Sequence, residues 1–110
     1  MDATTFAALG EPNRLRIVEL LRDRPYTVGD IAEALAIRQP QASKHLRVLR
    51  EAGIVDAEPV DRRRIHHLRA EPFEQLGSWA DSFERLWDTR LDALGTYLAS
   101  RADDDRSGPR

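Results

Sequence analysis

The chain has 110 residues, of which 41% are apolar and 33% are charged, so it suits one domain with a small core. It contains no cysteine, which excludes disulfides, thiolate metal sites and cysteine nucleophiles. No apolar run approaches the roughly 18 residues of a membrane span, and the N-terminus lacks a signal-peptide pattern, so we expect a cytoplasmic protein with no membrane partner. The formal net charge is −2, yet residues 38–69 carry eight Lys or Arg against four Asp or Glu, whereas residues 71–105 carry three against nine. This segregation fits a basic binding surface joined to an acidic element, although charges that merely coat solvated surfaces would also produce it.

The first third of the chain predicts three short helices. A short apolar segment stops at Gly10, and Pro12 opens a second helix because its missing N–H costs nothing at the first helical position. Thr27 and Asp30 nearly match a capping box at the start of a third helix, which ends at a short turn at residues 36–37.

The stretch "IRQPQASKHLRVLREAG", residues 37–53, predicts an amphipathic helix that Gly53 ends. At about 100° per residue, Ala42, Leu46 and Leu49 fall on one face, which is therefore the buried one. The exposed face presents Gln, Ser, Lys and Arg, the side chains that pair with guanine or adenine and that bind phosphate. With the helix before it, this helix has the size and spacing of a helix-turn-helix.

The next stretch, "IVDAEPVDRRRIHHLRA", predicts a small β-hairpin with strands at residues 54–57 and 65–68 around a polar turn. Pro59 suits an edge strand because it lacks an N–H to donate. A hairpin with three consecutive arginines after a helix-turn-helix would act as a wing that contacts phosphate or the minor groove.

The last predicted element is a helix from Pro72 to about Ser100, roughly 40 Å long. It carries an apolar stripe and both tryptophans. Trp79 and Trp87 could line an effector pocket, but burial in a core or an interface is the favoured interpretation. Residues 1–100 are thus predicted to form one domain, and residues 101–110 a disordered polar tail.

Four segments in this order, "FAALGEPNRLRIVELL", "TVGDIAEAL", "QPQASKHLRVLREAGIV" and "RRRIHHL", resemble the ArsR-type winged helix-turn-helix repressors. The resemblance covers about residues 4–98 and implies a mainly α fold with a small β-hairpin. It implies a homodimeric, sequence-specific repressor that binds double-stranded DNA at an inverted repeat. The residues carried over to DNA contact are Gln39, Gln41, Ser43, Lys44, Arg47, Arg62, Arg63 and Arg64. Those expected at the dimer interface, on the first and last helices, are Phe6, Phe83, Trp87, Leu91, Leu94 and Leu98.

Other functions have less support in the sequence. Metal-sensing relatives use a cysteine pair or Asp and His ligands on the last helix, and neither set occurs here, so we expect no metal and no cofactor. His66 and His67 are adjacent in a strand and would point to opposite faces, which also argues against a shared metal. No catalytic motif is present, so an enzyme is not expected. Two alternatives stay open: a winged-helix module that binds a protein, and a sensor released from DNA by a small ligand.

Overall fold

A computed structural model of the protein describes residues 2–107, and the chain forms two compact units, one through Gln75 and the other from Leu76. The first unit holds four helices and a small antiparallel sheet. The elements in chain order are α1 (Ala3–Leu9), α2 (Pro12–Leu21), β1 (Tyr26–Thr27), α3 (Val28–Leu35), α4 (Gln39–Glu51), β2 (Val55–Val60), β3 (Arg63–Leu68) and α5 (Ala70–Ser107).

The core of the first unit is built from one apolar side of each of its helices. Its fully buried large side chains come from α2, α3, α4 and the start of the hairpin, and each contributes about 1.5–3 kcal/mol by leaving water. They are Ile17, Ile31, Leu46, Leu49, Ile54 and Val55. The predicted buried face of α4 is confirmed, because Ala42, Leu46 and Leu49 are all buried.

Two arginines of α2 bind the carbonyl ends of the neighbouring helices. Arg14 Nε donates to the Ala8 carbonyl at 2.6 Å, near the end of α1. Arg16 Nη2 donates to the Leu35 carbonyl at 3.2 Å, at the end of α3. The last carbonyls of a helix have no partner inside the helix, so these guanidinium groups satisfy them and fix α1 and α3 against α2.

The turn between α3 and α4 depends on a left-handed residue. The Thr27 side chain caps α3 by accepting from the Asp30 N–H, as the sequence predicts. At the other end Ala36 adopts φ +54°, its N–H donates to the Glu33 carbonyl, and the Ile37 N–H donates to the Ala32 carbonyl. These bonds satisfy the free carbonyls of α3 and turn the chain toward α4.

The wing is a hairpin within a three-stranded sheet of order β1-β3-β2. Its strands are longer than predicted and leave a two-residue loop, in which Asp61 adopts φ +57°. Pro59 lies in the edge strand β2, as predicted, opposite Arg64. The added strand β1 pairs with β3 through Tyr26 and His66, which fastens the wing to the segment before α3.

Helix α5 is longer than predicted, and beyond Gln75 it forms the second compact unit. It starts at Ala70 and continues through Ser107, so the first part of the predicted disordered tail is helical. Residues 108–110 of that tail lie outside the described residues. Trp79 and Phe83 stack edge to face at 4.9 Å, but Trp79 and Trp87 are 41% and 59% exposed, so a single chain does not bury them.

Candidate nucleic-acid interface

Helix α4 presents two different polar sides to solvent. Lys44 and Arg47 lie opposite the buried face and are exposed, together with the neighbouring Gln41. Gln39, Ser43 and Arg50 repeat at helical spacing on one flank, next to the buried Leu46. The first set faces outward, whereas the second set faces the wing across a groove.

The groove lies between the start of α3, one flank of α4 and the wing, and has a volume of about 740 Å³. From α4 it takes Gln39, Ser43 and Arg50. From the wing it takes all three consecutive arginines, Arg62 in the turn and Arg63 and Arg64 at the start of β3. The groove thus joins five of the predicted DNA-contacting residues: Gln39, Ser43, Arg62, Arg63 and Arg64. Gln41, Lys44 and Arg47 do not line it.

Most of the cations at this surface are not neutralised by carboxylates. Within the described part of the chain, no ion pair engages Lys44, Arg50 or the three wing arginines. Arg47 differs, because its Nε lies 3.1 Å from Glu51 Oε1, one turn along the same helix. Both side chains are mostly exposed, and an exposed pair of this kind contributes at most about 1 kcal/mol, so a DNA ligand can displace Glu51.

The start of α4 is capped from inside the helix. Arg38 at the N-cap offers no side-chain acceptor, because a guanidinium carries only donors. Instead the Gln41 side-chain oxygen accepts the Arg38 N–H at 3.2 Å. The side-chain oxygen of Gln41 therefore caps the helix, and its side-chain NH₂ remains a donor that can face DNA.

One arginine of the groove was missed by the sequence-based prediction. Arg50 Nη1 donates to His66 Nε2 at 3.3 Å, and a guanidinium cannot accept a hydrogen bond, so this His66 nitrogen is the acceptor. His66 is only 3% exposed, and burial lowers its pKa from 6.5, an effect that the nearby Arg50 charge reinforces and the Tyr26 backbone opposes. The neutral imidazole holds Arg50 in the groove. The spacing of Arg50 from Gln39 and Ser43 was the signal that could have identified it.

His45 connects α4 to the start of α2. Its Nδ1 lies 3.6 Å from Glu11 Oε2, and the same carboxylate oxygen caps α2 by accepting the Arg14 N–H at 2.9 Å. The side chain is mostly buried at the edge of the α4 face, where it links α4 to the start of α2.

Comparisons with known proteins agree with this geometry. A family profile described as "Bacterial regulatory protein, arsR family" matches residues 11–57. The HTH-type transcriptional regulator Rv2034 of Mycobacterium tuberculosis is 33% identical over 88% of this chain and 88% of its own length. The chain belongs to the ArsR family. It is accordingly a DNA-binding transcriptional regulator with a winged helix-turn-helix fold, and not an enzyme.

Two further similar proteins carry more specific names. The transcriptional repressor SdpR of Bacillus subtilis is 40% identical over 78% of this chain and 96% of its own length. The homodimeric winged helix-turn-helix DNA-binding domain Mb0332 of Mycobacterium bovis, a possible ArsR-family regulator, is 28% identical. Its structure superposes with a TM-score of 0.63 over 73% of this chain and 74% of that chain.

Among the residues that the structure describes, no three His, Asp or Glu side chains lie together where they could hold a metal ion. There too, no helix combines the length and apolar character needed to cross a membrane.

Proposed function

We propose that the protein is a cytoplasmic homodimeric repressor that binds an inverted-repeat operator without a response to metal. Each protomer would insert α4 into the major groove and place its wing against the adjacent backbone. The two recognition helices of such a dimer would lie about 34 Å apart, in successive major grooves on one side of the duplex.

The observation that carries the DNA-binding part of this proposal is a set of cations on α4 and the wing that pair with no carboxylate among the described residues. An arginine already held by an acid must exchange one partner for another, whereas Lys44 and Arg62–Arg64 need only lose water. Lys and Arg side chains that neutralise phosphates release counterions, which drives binding even when the protein is acidic as a whole. Among the described residues of α4 and the wing, Val60 is the only exposed large apolar side chain, whereas an apolar patch would favour a protein partner.

The homodimer is supported by the exposed apolar stripe of α5. Trp87, Leu91, Leu94 and Leu98 are each 49–59% exposed, and Phe83 on the same stripe is 43% exposed. The carboxylates Asp81, Asp88 and Asp92 lie roughly 100° or more around the helix from the centre of this stripe. The apolar side is therefore the one suited to burial. The homodimeric state of Mb0332 favours a second copy of this chain as the covering partner, and Phe6 of α1 is predicted to contribute.

DNA recognition is tested by measuring affinity for the gene's own upstream region at several salt concentrations. Lys44→Ala or Arg47→Ala should cost about 1–3 kcal/mol if the side chain reads a base, and should flatten the salt slope by about one if it binds phosphate. Arg22→Ala, an exposed arginine on α2 away from the groove, is the control. Wild-type affinity for both α4 variants would contradict the assignment of α4.

Dimerisation is tested with Leu94→Asp, which places a charge in the apolar stripe, and with Asp92→Ala on the opposite side of α5 as control. Sedimentation should give a monomer for Leu94→Asp and a dimer for the control, and operator affinity should fall with the dimer. A monomeric variant that binds the operator as tightly as wild type would contradict the bivalent scheme.

A further inference from the structure

The groove between α3, α4 and the wing contains an arginine that the predicted site lacks. Four arginines line it, Arg50 and Arg62–Arg64, against two carboxylates, Asp30 and Glu33. Three of these arginines are exposed on the wing, whereas Arg50 is half-buried at the base of the groove. The groove therefore has a net positive charge and a cation fixed within it.

Arg50 is held by a neutral group instead of an acid. Its hydrogen bond to His66 Nε2 at 3.3 Å fixes one guanidinium nitrogen and leaves the positive charge uncompensated. His66 cannot move aside easily, since it is buried on the central strand β3 between Tyr26 of β1 and Ala57 of β2. The remaining guanidinium donors are the ones available to a ligand in the groove.

We propose that this groove binds a phosphate of the DNA backbone, with Arg50 as the phosphate-binding residue and His66 as the residue that positions it. The proposal rests on the proposed function, and it adds a contact on the side of α4 that faces the wing. The ligand is a phosphate and not a base, because Arg50 lies on the flank of α4 instead of the outward side that carries Lys44 and Arg47.

The neighbouring groups of the groove fit a phosphate ligand. Ser43 and Gln39 offer neutral hydrogen-bond donors on the same flank of α4 as Arg50. The wing arginines stand across the groove, so a backbone that passes between α4 and the wing meets cations on both sides. Glu33 lines the same groove and is exposed, so its carboxylate opposes an anionic ligand.

The main test measures operator and non-operator affinity of the full chain against salt concentration. Arg50→Gln should weaken binding to both DNAs by roughly ten- to a hundredfold, because a charge-assisted hydrogen bond is lost. It should also reduce the salt slope by about one. Arg50→Lys should keep the slope and recover part of the affinity, and Arg22→Gln should match wild type.

A second variant covers the case in which Arg50→Gln disturbs the fold, which circular dichroism and the melting temperature would reveal. Glu33→Gln removes the carboxylate from the groove without touching Arg50, and should tighten binding to both DNAs severalfold. Unchanged affinity for Glu33→Gln together with an unchanged salt slope for Arg50→Gln would overturn the phosphate site. If Lys44→Ala still weakened binding in that experiment, the proposed function would stand while this inference fell. If the wild-type chain bound no DNA, both would fall.

The positioning role of His66 is tested by a double-mutant cycle. His66→Leu removes the acceptor and should lower affinity for both DNAs, whereas His66→Gln, whose side-chain oxygen can accept from Arg50, should restore part of it. In the Arg50→Gln background, His66→Leu should cause little further loss, because its effect acts through Arg50. Additive losses in the double variant would refute this coupling.

Discussion

The residues that flank α4 adopt the same left-handed backbone but are of different types, and this permits a matched pair of substitutions. Ala36, just before α4, and Gly53, just after it, both adopt left-handed backbone with φ +54° and +75°. We expect Ala36→Gly to stabilise the protein and Gly53→Ala to destabilise it by a similar amount. Neither change removes a hydrogen bond, because both residues use only their backbone N–H, to the Glu33 and Arg50 carbonyls respectively.

The magnitude follows from two opposing effects. A residue with a Cβ in left-handed conformation costs roughly 1–2 kcal/mol relative to glycine. Glycine also loses more chain entropy on folding, and this destabilising effect reduces the difference by about 0.4–1 kcal/mol. The free energy of unfolding should therefore rise by about 0.5–1 kcal/mol for Ala36→Gly and fall by about as much for Gly53→Ala. Steric clash adds little at Gly53, where the nearest atom to a new Cβ is Arg69 Nη1 at 3.9 Å.

The assay is thermal and urea unfolding followed by circular dichroism, with all variants at one protomer concentration because a dimer's stability depends on it. The melting temperature should shift by roughly 2–5 °C in opposite directions for the two variants. The double variant should lie near wild type. If Ala36→Gly were the less stable protein, the strain assigned to the helix-turn-helix turn would be wrong.

Three further outcomes are expected. Acidification below pH 6.5 should lower the free energy of unfolding, because His66 is then protonated in the unfolded chain but stays neutral in the folded protein. Burial and the charges of Arg50, Arg64 and His67 keep it neutral there. Above pH 6.5 this contribution to stability is fully present, and His66→Gln should show a flatter dependence of stability on pH in urea unfolding. Arg16→Met should lower the free energy of unfolding by about 1–2 kcal/mol through the lost Leu35 carbonyl bond, measured against Arg22→Met. Asp61→Asn keeps a residue that tolerates positive φ but removes a negative charge from the wing, so gel shifts should show severalfold tighter DNA binding at an unchanged melting temperature.

The parts of the fold that the sequence predicts are those controlled by local chemistry. Pro12 starts α2, Thr27 caps α3 and Gly53 ends α4, each for a reason that involves only the few residues beside it. The strand β1 was not predicted, because its two residues form a strand only by pairing with β3, far along the chain. Helical periodicity predicts the buried side of α4 for the same local reason.

The site was predicted only in part, since contacts between elements decide it. The helical wheel places Lys44 and Arg47 opposite the buried face and Gln41 and Ser43 on the flanks, and all four side chains are exposed. The hydrogen bond between Arg50 and His66 joins a helix to a strand, so no local pattern reveals it. Gln41 stands at N3, from which a capping-box glutamine reaches back to the N-cap N–H, but this local signal was not used in the sequence-based prediction.

The two polar sides of α4 imply that affinity and specificity can be altered separately on one helix. A contact to phosphate weakens binding to all sequences alike, whereas a contact to a base edge changes which sequence is preferred. Variants at Lys44 or Arg47 should therefore change the ratio of operator to non-operator affinity, and Arg50→Gln should leave that ratio unchanged. Glu51→Gln, which releases Arg47 from its ion pair, should raise operator affinity by less than about fivefold, since an exposed pair contributes at most about 1 kcal/mol. The ratio is measured by competition between the two DNAs. Equal effects of all these variants on the ratio would show that specificity and affinity do not depend on different sides of α4.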